Sequence, residues 1–225
     1  MVVAPSGERR VRVRFLNPDG GEAFCGNGSR CAARFAVLRG WAGSGAFLLE
    51  TRVGEVEATV EGPAVRLVLP PPRDLGVAVL EIEGARIEGR SIDSGVPHFV
   101  VRVEDVSSAP LERWGPILRG HRRFGAEGTN VDVVSVGEGS VRVRTWERGV
   151  EGETLSCGTG AVAAAHAARI AGTGERVRVM PASGVALTVT LPGPPHAPHS
   201  AVLEGDARMV FEGTLAPEGT EGFPD

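Results

Sequence analysis

An internal repeat limits what this chain can fold into more than any other feature of it. Val11-Arg12-Val13-Arg14 returns as Val141-Arg142-Val143-Arg144, 130 residues later. Cys25-Gly26-Asn27-Gly28 returns as Cys157-Gly158-Thr159-Gly160, 132 residues later. The two extra residues lie in the loop between these motifs. After each Cys-Gly motif an Ala-rich stretch (residues 29–40 and 161–172) predicts a helix, and each stretch ends on a glycine, Gly40 and Gly172, suited to a helix C-terminus. Gly54 and Gly184 are again 130 apart, and each opens an alternating stretch that predicts a strand, EVEATV and VALTVT. Matches in one register imply two copies of one unit.

The remaining periodicity is mostly that of strands. FLLET, AVRLVLP, LEIEG, ARIEGRSI, HFVVRV, NVDVVSV, RVRVM, AVLEG and ARMVFEG alternate or run apolar, and a weaker helix is predicted over PLERWGPILRG. Many strands with one principal helix per half predict an α+β fold. Two pseudo-symmetric halves are expected, each a mostly antiparallel sheet wrapped on a central helix. The division falls near residues 70–84, after Pro70-Pro71-Pro72, giving an N-terminal half of 1–84 with Cys25 and a C-terminal half of 85–225 with Cys157. PGPPHAP (192–198) reads as a long hairpin loop with His196 and His199 in solvent. By the repeat's own measure, Cys25 has only 24 residues before it while Cys157 lies 66 residues beyond Ser91. The first half is therefore expected to lack about 40 residues at its start, including the counterpart of DSGVPHFVVRV, either through initiation at an internal Met or as a natural short form.

Composition removes several function classes. All 24 basic residues are Arg, so no lysine is present for a pyridoxal phosphate Schiff base or a P-loop. The net charge is −4 with the arginines dispersed, and tyrosine is absent, so neither a basic stripe nor a stacking platform for nucleic acid is expected. No apolar run is long enough to span a membrane and no signal peptide is evident, so a cytoplasmic location is the default. Cys25 and Cys31, six apart, match no common zinc spacing, and no metal is expected. Asparagine occurs three times, at Asn17, Asn27 and Asn130, which makes each worth weighing for a role.

The chemistry lies in the Cys-Gly motifs. Glycines at a helix start leave backbone N–H groups open to an anion such as a carboxylate, and the helix dipole there favours a thiolate over a thiol. Two such units from a duplication predict two sulfurs facing one substrate. One removes a proton as thiolate; the other donates one as thiol on the opposite face, inverting a carbon. An α-amino acid fits. Cys31, inside the helix and without a counterpart in the repeat, is expected to be core packing.

NPDGGEAFCGNGSRC, GTNVDVV and TWERGVEGETLSCGTGAVAAA closely resemble the signature segments of the diaminopimelate epimerase family, and the likeness runs from about residue 9 to about residue 213. The resemblance implies a cofactor-independent isomerase of lysine and cell-wall biosynthesis. Such an enzyme interconverts LL- and meso-diaminopimelate by a two-thiol mechanism. It implies Cys25 and Cys157 as the acid/base pair and Asn17 and Asn130 as hydrogen-bond partners of substrate. Gly26 with Asn27, and Gly158 with Thr159, would cradle the carboxylate, Glu147 and Arg148 would contact the distal amino and carboxylate groups, and His98 would lie beside the site. The partner implied is a small amino-acid substrate, and a homodimer is entertained as the assembly. Two departures stand out: Val96 occupies a position where many members have Asn, and the Gly-Asn-Asp-Phe segment that usually opens the family is not in this chain. A proline or hydroxyproline racemase-type enzyme, an inactive remnant that only binds, and a thiol-redox role remain as alternatives.

Overall fold

The two Val-Arg-Val-Arg segments place valines on one face and arginines on the other, and both become strands whose valines enter the core. The structure, a computed structural model, describes residues 1–17, 20–43, 45–214 and 216. Among these, the first half contains β1 (Val2–Gly7), β2 (Arg10–Leu16), β3 (Glu22–Ala23), α1 (Gly26–Leu38), β4 (Phe47–Thr51), β5 (Gly54–Glu61) and β6 (Ala64–Leu69). The chain continues through β7 (Arg73–Ile82), β8 (Ala85–Asp93), β9 (Pro97–Arg102), α2 (Leu111–Arg119), β10 (Asn130–Gly137), β11 (Ser140–Glu147) and β12 (Gly152–Thr154). It ends with α3 (Gly158–Ile170), β13 (Arg176–Met180), β14 (Leu187–Thr190) and β15 (Ala201–Asp206).

The strands form one continuous path, β1-β2-β4-β5-β6-β15-β14-β13-β11-β10-β9-β8-β7, with β3 attached to β2 and β12 to β11. The seam between the halves is the antiparallel pair β6–β15. Reading outward from it, β5 mirrors β14, β4 mirrors β13, β2 mirrors β11 and β1 mirrors β10. The repeat survives at the level of register. Val11 pairs in parallel with Leu49, and Val141 pairs in parallel with Val179, each member displaced by 130 (141 − 11 and 179 − 49). Beyond β10 the second half continues into β9, β8 and β7, whereas β1 pairs only with β2 among the described residues.

This difference sets the environment of the two central helices. α3 is apolar nearly all round and is enclosed: Ala161, Ala163, Ala164 and Ala165 are fully buried, as expected for such a helix. It packs against strands from β8 to β15. α1 buries Ala32, Ala33 and Ala36 on one face only. Both helices end in the same way. Gly40 and Gly172 take left-handed φ (71° and 106°). Their N–H groups donate to Val37 and Arg169, while those of Trp41 and Thr173 reach Ala36 and Ala168, the paired closing bonds of a Schellman motif.

Three expectations need correction. Cys31 is exposed rather than core, on a face of α1 that the described residues leave open beside Met1 and Val3; Ala163, 132 residues on, is fully buried. Residues 207–213 form no strand. β1 and the start of β7 were not expected as strands. Pro5 and Gly7 interrupt the first at a register shift, and the second shifts register around Gly76, whose N–H donates to Asp74. Glu83 and Gly84 form the turn of the β7–β8 hairpin, and β7 pairs with β8 rather than with β6.

The apolar interior has two parts. The larger runs through both halves around α1 and α3. The smaller lies under α2, between β7–β10 and Leu111, Leu118 and Phe99. In the smaller one α2 rests Gly115 on the Trp146 ring, where a Cβ would meet ring atoms at 2.5–2.7 Å. Gly115→Ala is therefore expected to destabilise the fold by about 1–3 kcal/mol, overpacking outweighing the better helix propensity of Ala. Urea unfolding checks this; an unchanged or raised midpoint would contradict it.

Candidate active site

Each Cys of the repeat is the residue just before a helix. Cys25 precedes α1 and Cys157 precedes α3 in extended backbone, and each sulfur accepts from the N–H three residues on, Gly28 and Gly160, at 3.3 Å. The sulfur thus takes the role that a hydroxyl or carboxylate oxygen usually plays at a helix start. The two helix starts meet head to head. A Cβ on Gly158 would lie 3.2 Å from Gly26 Cα and 3.3 Å from the Asn27 nitrogen. Asn27 crosses the seam, its Nδ2 donating to the Ser156 carbonyl at 2.6 Å while its Oδ1 accepts from Arg30 at 2.9 Å. Two positive helix ends therefore converge on one spot, where an anion is favoured.

That spot is the floor of a cleft of about 1120 Å³ between the halves. Both cysteines, Gly26, Asn27, Gly158 and Thr159 line it from the helix ends; Asn17 lines it from the loop after β2. Asn130, Glu147 and Arg148 line the opposite wall. Ten of the eleven residues singled out in the sequence thus border one cavity. The eleventh, His98, is buried behind it and meets Thr159 at 3.0 Å. Asn130 holds the wall together: its Oδ1 accepts from the Arg148 N–H at 2.8 Å and its Nδ2 donates to the Pro97 carbonyl at 3.0 Å. The loop carrying Glu147 and Arg148 is braced by Arg144, whose guanidinium grips both oxygens of Glu153 on β12 and donates to the Val106 and Ala109 carbonyls. Arg52, Arg119 and Arg148 face the cleft together with Glu22, Glu127 and Glu147, a mixture suited to a ligand carrying charges of both signs.

The sulfurs are not equivalent. Burial pushes the Cys25 thiol up, and Glu147 adds to this; the Gly28 and Asn27 N–H groups and the Arg30 cation oppose it. The Cys157 thiol lies well above the ordinary range through complete burial, then Glu147 and Asp132, against the Thr159 hydroxyl and Gly160 N–H. Burial is the largest influence on both sulfurs and pushes both thiols up, the opposite direction to the lowering expected from the helix dipoles.

Sequence reasoning missed Asp132 and Thr145. Asp132 is fully buried on β10, accepting from the Thr145 hydroxyl at 2.6 Å and facing His98 Nδ1 at 2.7 Å. A carboxylate inside an unbroken valine run, NVDVV, was the available signal, since charged groups are rarely buried without partners. The geometry also explains the second glycine of the motif: a Cβ on Gly160 would sit 2.8 Å from Asp132 Oδ1.

Comparison with known proteins gives a consistent picture. The family model described as diaminopimelate epimerase matches residues 1–68 and 90–210. The diaminopimelate epimerase of Aquifex aeolicus is 41% identical over 220 residues, covering 95% of this chain and 77% of that protein. That of Hydrogenobaculum sp. is 38% identical over 212 residues, covering 91% and 74%. Among solved structures, a hydroxyproline epimerase from Agrobacterium vitis superposes with a TM-score of 0.72 at 21% identity, covering 91% of this chain and 70% of that one. This last likeness is one of fold.

Proposed function

The chain belongs to the diaminopimelate epimerase family, and from that premise we propose that Cys25 and Cys157 are the two acid/base groups with which it inverts the α-carbon of LL-diaminopimelate to give the meso isomer. The observation that carries this reading is the head-to-head meeting of two Cys-capped helix starts on the floor of one cleft. The substrate's reacting carboxylate would rest on the N–H groups of Gly26–Asn27 and Gly158–Thr159. There the two helix ends also stabilise negative charge as the carbanion develops. One sulfur takes the α-proton as thiolate while the other supplies a proton to the opposite face as thiol. Asn17, Asn27 and Asn130 border the substrate, and Glu147 and Arg148 meet its distal ammonium and carboxylate, a match in charge that proline lacks.

The lack of lysine supports chemistry without pyridoxal phosphate. Three free cysteines suit a reducing compartment, and we place the enzyme in the cytoplasm. The order of the sheet favours Pro70–Pro72 as the link between the halves.

The test is incubation in deuterated water with LL-diaminopimelate, with trans-4-hydroxy-L-proline as the control. Deuterium is expected at the diaminopimelate α-carbon, together with the meso isomer. Folded protein that exchanges only the proline, or neither compound, would overturn the reading.

A further inference from the structure

Behind Cys157 runs a buried chain of polar side chains that the proposed acid/base role does not by itself require. Cys157 Sγ lies 3.4 Å from Thr159 Oγ1, which lies 3.0 Å from His98 Nε2. His98 Nδ1 lies 2.7 Å from Asp132 Oδ2, and Asp132 Oδ1 accepts from Thr145 at 2.6 Å. Thr145, Asp132, His98, Thr159 and Cys157 are all buried. Among the described residues no equivalent chain stands behind Cys25, whose helix carries Asn27 where α3 carries Thr159.

The direction of donation along the chain is determined twice over. Asp132 faces His98 Nδ1 and already takes the Thr145 proton, so the carboxylate accepts and Nδ1 carries a hydrogen. Independently, the Arg148 N–H binds Asn130 Oδ1, which turns the Asn130 NH2 toward His98, 3.4 Å from Nε2. A donor facing Nε2 also makes that nitrogen the acceptor. The Thr159 hydroxyl therefore donates to Nε2 and offers its lone pair to the Cys157 S–H.

We propose that Asp132, braced by Thr145, is a positioning residue that holds His98 as the proton acceptor for Cys157, with the Thr159 hydroxyl as the relay between them. The step conserves protons and charge. The S–H bond of Cys157 breaks as its proton joins Thr159 Oγ1, and the original Thr159 proton passes to His98 Nε2. The products are a thiolate and an imidazolium, the latter balanced by the Asp132 carboxylate. The reverse step recharges the thiol. In a two-base epimerase each turnover leaves the sulfurs with their protonation exchanged; the relay lets enclosed Cys157 lose or regain its proton through His98, and the cycle closes when the imidazole and Cys25 re-equilibrate their protons with solvent.

This inference rests on the acid/base role of Cys157, and the experiment separates the two. Asp132→Asn keeps the size of the side chain but removes the carboxylate that balances the imidazolium and holds the hydrogen on Nδ1, so Nε2 is no longer fixed as the relay's acceptor. The expected result is a fall in kcat of about 100-fold, typical of a lost acid/base group, with KM within about twofold. The specific readout is the pH profile of iodoacetamide alkylation of Cys157 without substrate, with Cys25 quantified in the same digest. The ionisable groups acting on Cys157 in that profile are His98 from β9, Asp132 from β10 and Glu147 from β11; Cys25, at the start of α1, shares the cleft. D132N should slow Cys157 relative to Cys25 by about tenfold at neutral pH and move its profile to higher pH, opposite in sign to the fall that loss of the Asp132 charge alone would cause; a profile moved to lower pH would overturn the relay. Thr145→Val, which removes only the brace, should move it part of the way, and Thr145→Ser should restore it; this pair decides the matter should D132N fold poorly. A folded D132N or T145V with the unaltered Cys157 profile and kcat would overturn the relay. An active Cys157→Ala enzyme would instead overturn the acid/base reading beneath it.

Discussion

Replacing either Cys25 or Cys157 with alanine is expected to lower the rate of epimerisation by about 10³- to 10⁴-fold, the upper range for loss of a positioned acid or base. The loss should take a form that a packing defect would not produce. Each sulfur addresses one face of the α-carbon. With one removed, the other can still take its proton from the stereoisomer it faces, but it can return a proton only to that same face. Each single variant should therefore exchange solvent deuterium into one stereoisomer with retention, and the two variants should select opposite stereoisomers. The double variant should epimerise no more slowly than either single one, because the thiols act as a unit. Chiral separation of the deuterated product measures all of this. Either single variant retaining a tenth of the rate, or both exchanging the same isomer, would contradict the pairing. Cys31→Ala, on the exposed face of α1, should leave the rate unchanged.

Much of the fold was legible because the duplication is written in strand-length pieces. Val-Arg-Val-Arg can bury its valines in only one register, since a slip of one residue would turn arginines into the core, and the parallel partners of β2 and β11 repeat at the same offset. The Ala-rich stretches each ended on a glycine, which made their C-terminal limits readable, while the first helical turn lay within the Cys-Gly motifs themselves, three residues earlier than expected. What the pattern could not show was long-range order. Nothing local in β7 says that it leaves its neighbour β6 and forms the far end of the sheet. The burial of α1 was misjudged for the same reason. Its composition is close to that of α3, but the strands that enclose α3 have no counterpart against α1 among the described residues, so Cys31 emerges on the surface.

The site was legible where it consists of motifs and illegible where it consists of packing. Ten of the eleven singled-out residues line one cleft because each sits at a helix start or a strand end that the repeat brings to the seam. Asp132 and Thr145 lie mid-strand, and their importance comes from what stands opposite them across the sheet: β10 pairs with β9 through Asp132 and Val100, and with β11 through Asp132 and Thr145. Thr145 is therefore directly across from Asp132, and that relation follows from register rather than from spacing along the chain. The expected thiol acidities differ from those found because the dipole argument considers a helix end in water, and burial is the largest influence on both sulfurs.

Gly158 is where the two kinds of information meet, and Gly158→Ala should damage catalysis out of proportion to its effect on stability. The added Cβ would stand 3.2 Å from Gly26 Cα, 3.3 Å from the Asn27 nitrogen and 3.2 Å from Asn27 Oδ1. Two of those atoms belong to the backbone of the opposing helix start, so no side chain can swing aside to make room. The helix ends must separate by a few tenths of an ångström or more. Asn27 would then lose its 2.6 Å bond across the seam to the Ser156 carbonyl. Both sulfurs and both sets of N–H groups are carried on those ends, so the proposed carboxylate cradle and the proposed acid and base would move apart together. Misplacement on that scale costs about 10²-fold in rate, while the fold, held elsewhere by the β6–β15 seam, should lose only about 1–3 kcal/mol. Gly26→Ala is the control. Its Cβ would meet Leu203 Cδ2 and Gly158 Cα at a looser 3.4 Å, and a leucine methyl can yield, so the same substitution in the first half should cost several-fold less. Measured kcat/KM values that fall equally for the two variants, or that track their unfolding midpoints, would show that the helix ends respond to stability alone. A larger catalytic loss in G158A at comparable stability would show that the distance between the two Cys-bearing helix starts is itself what the reaction depends on.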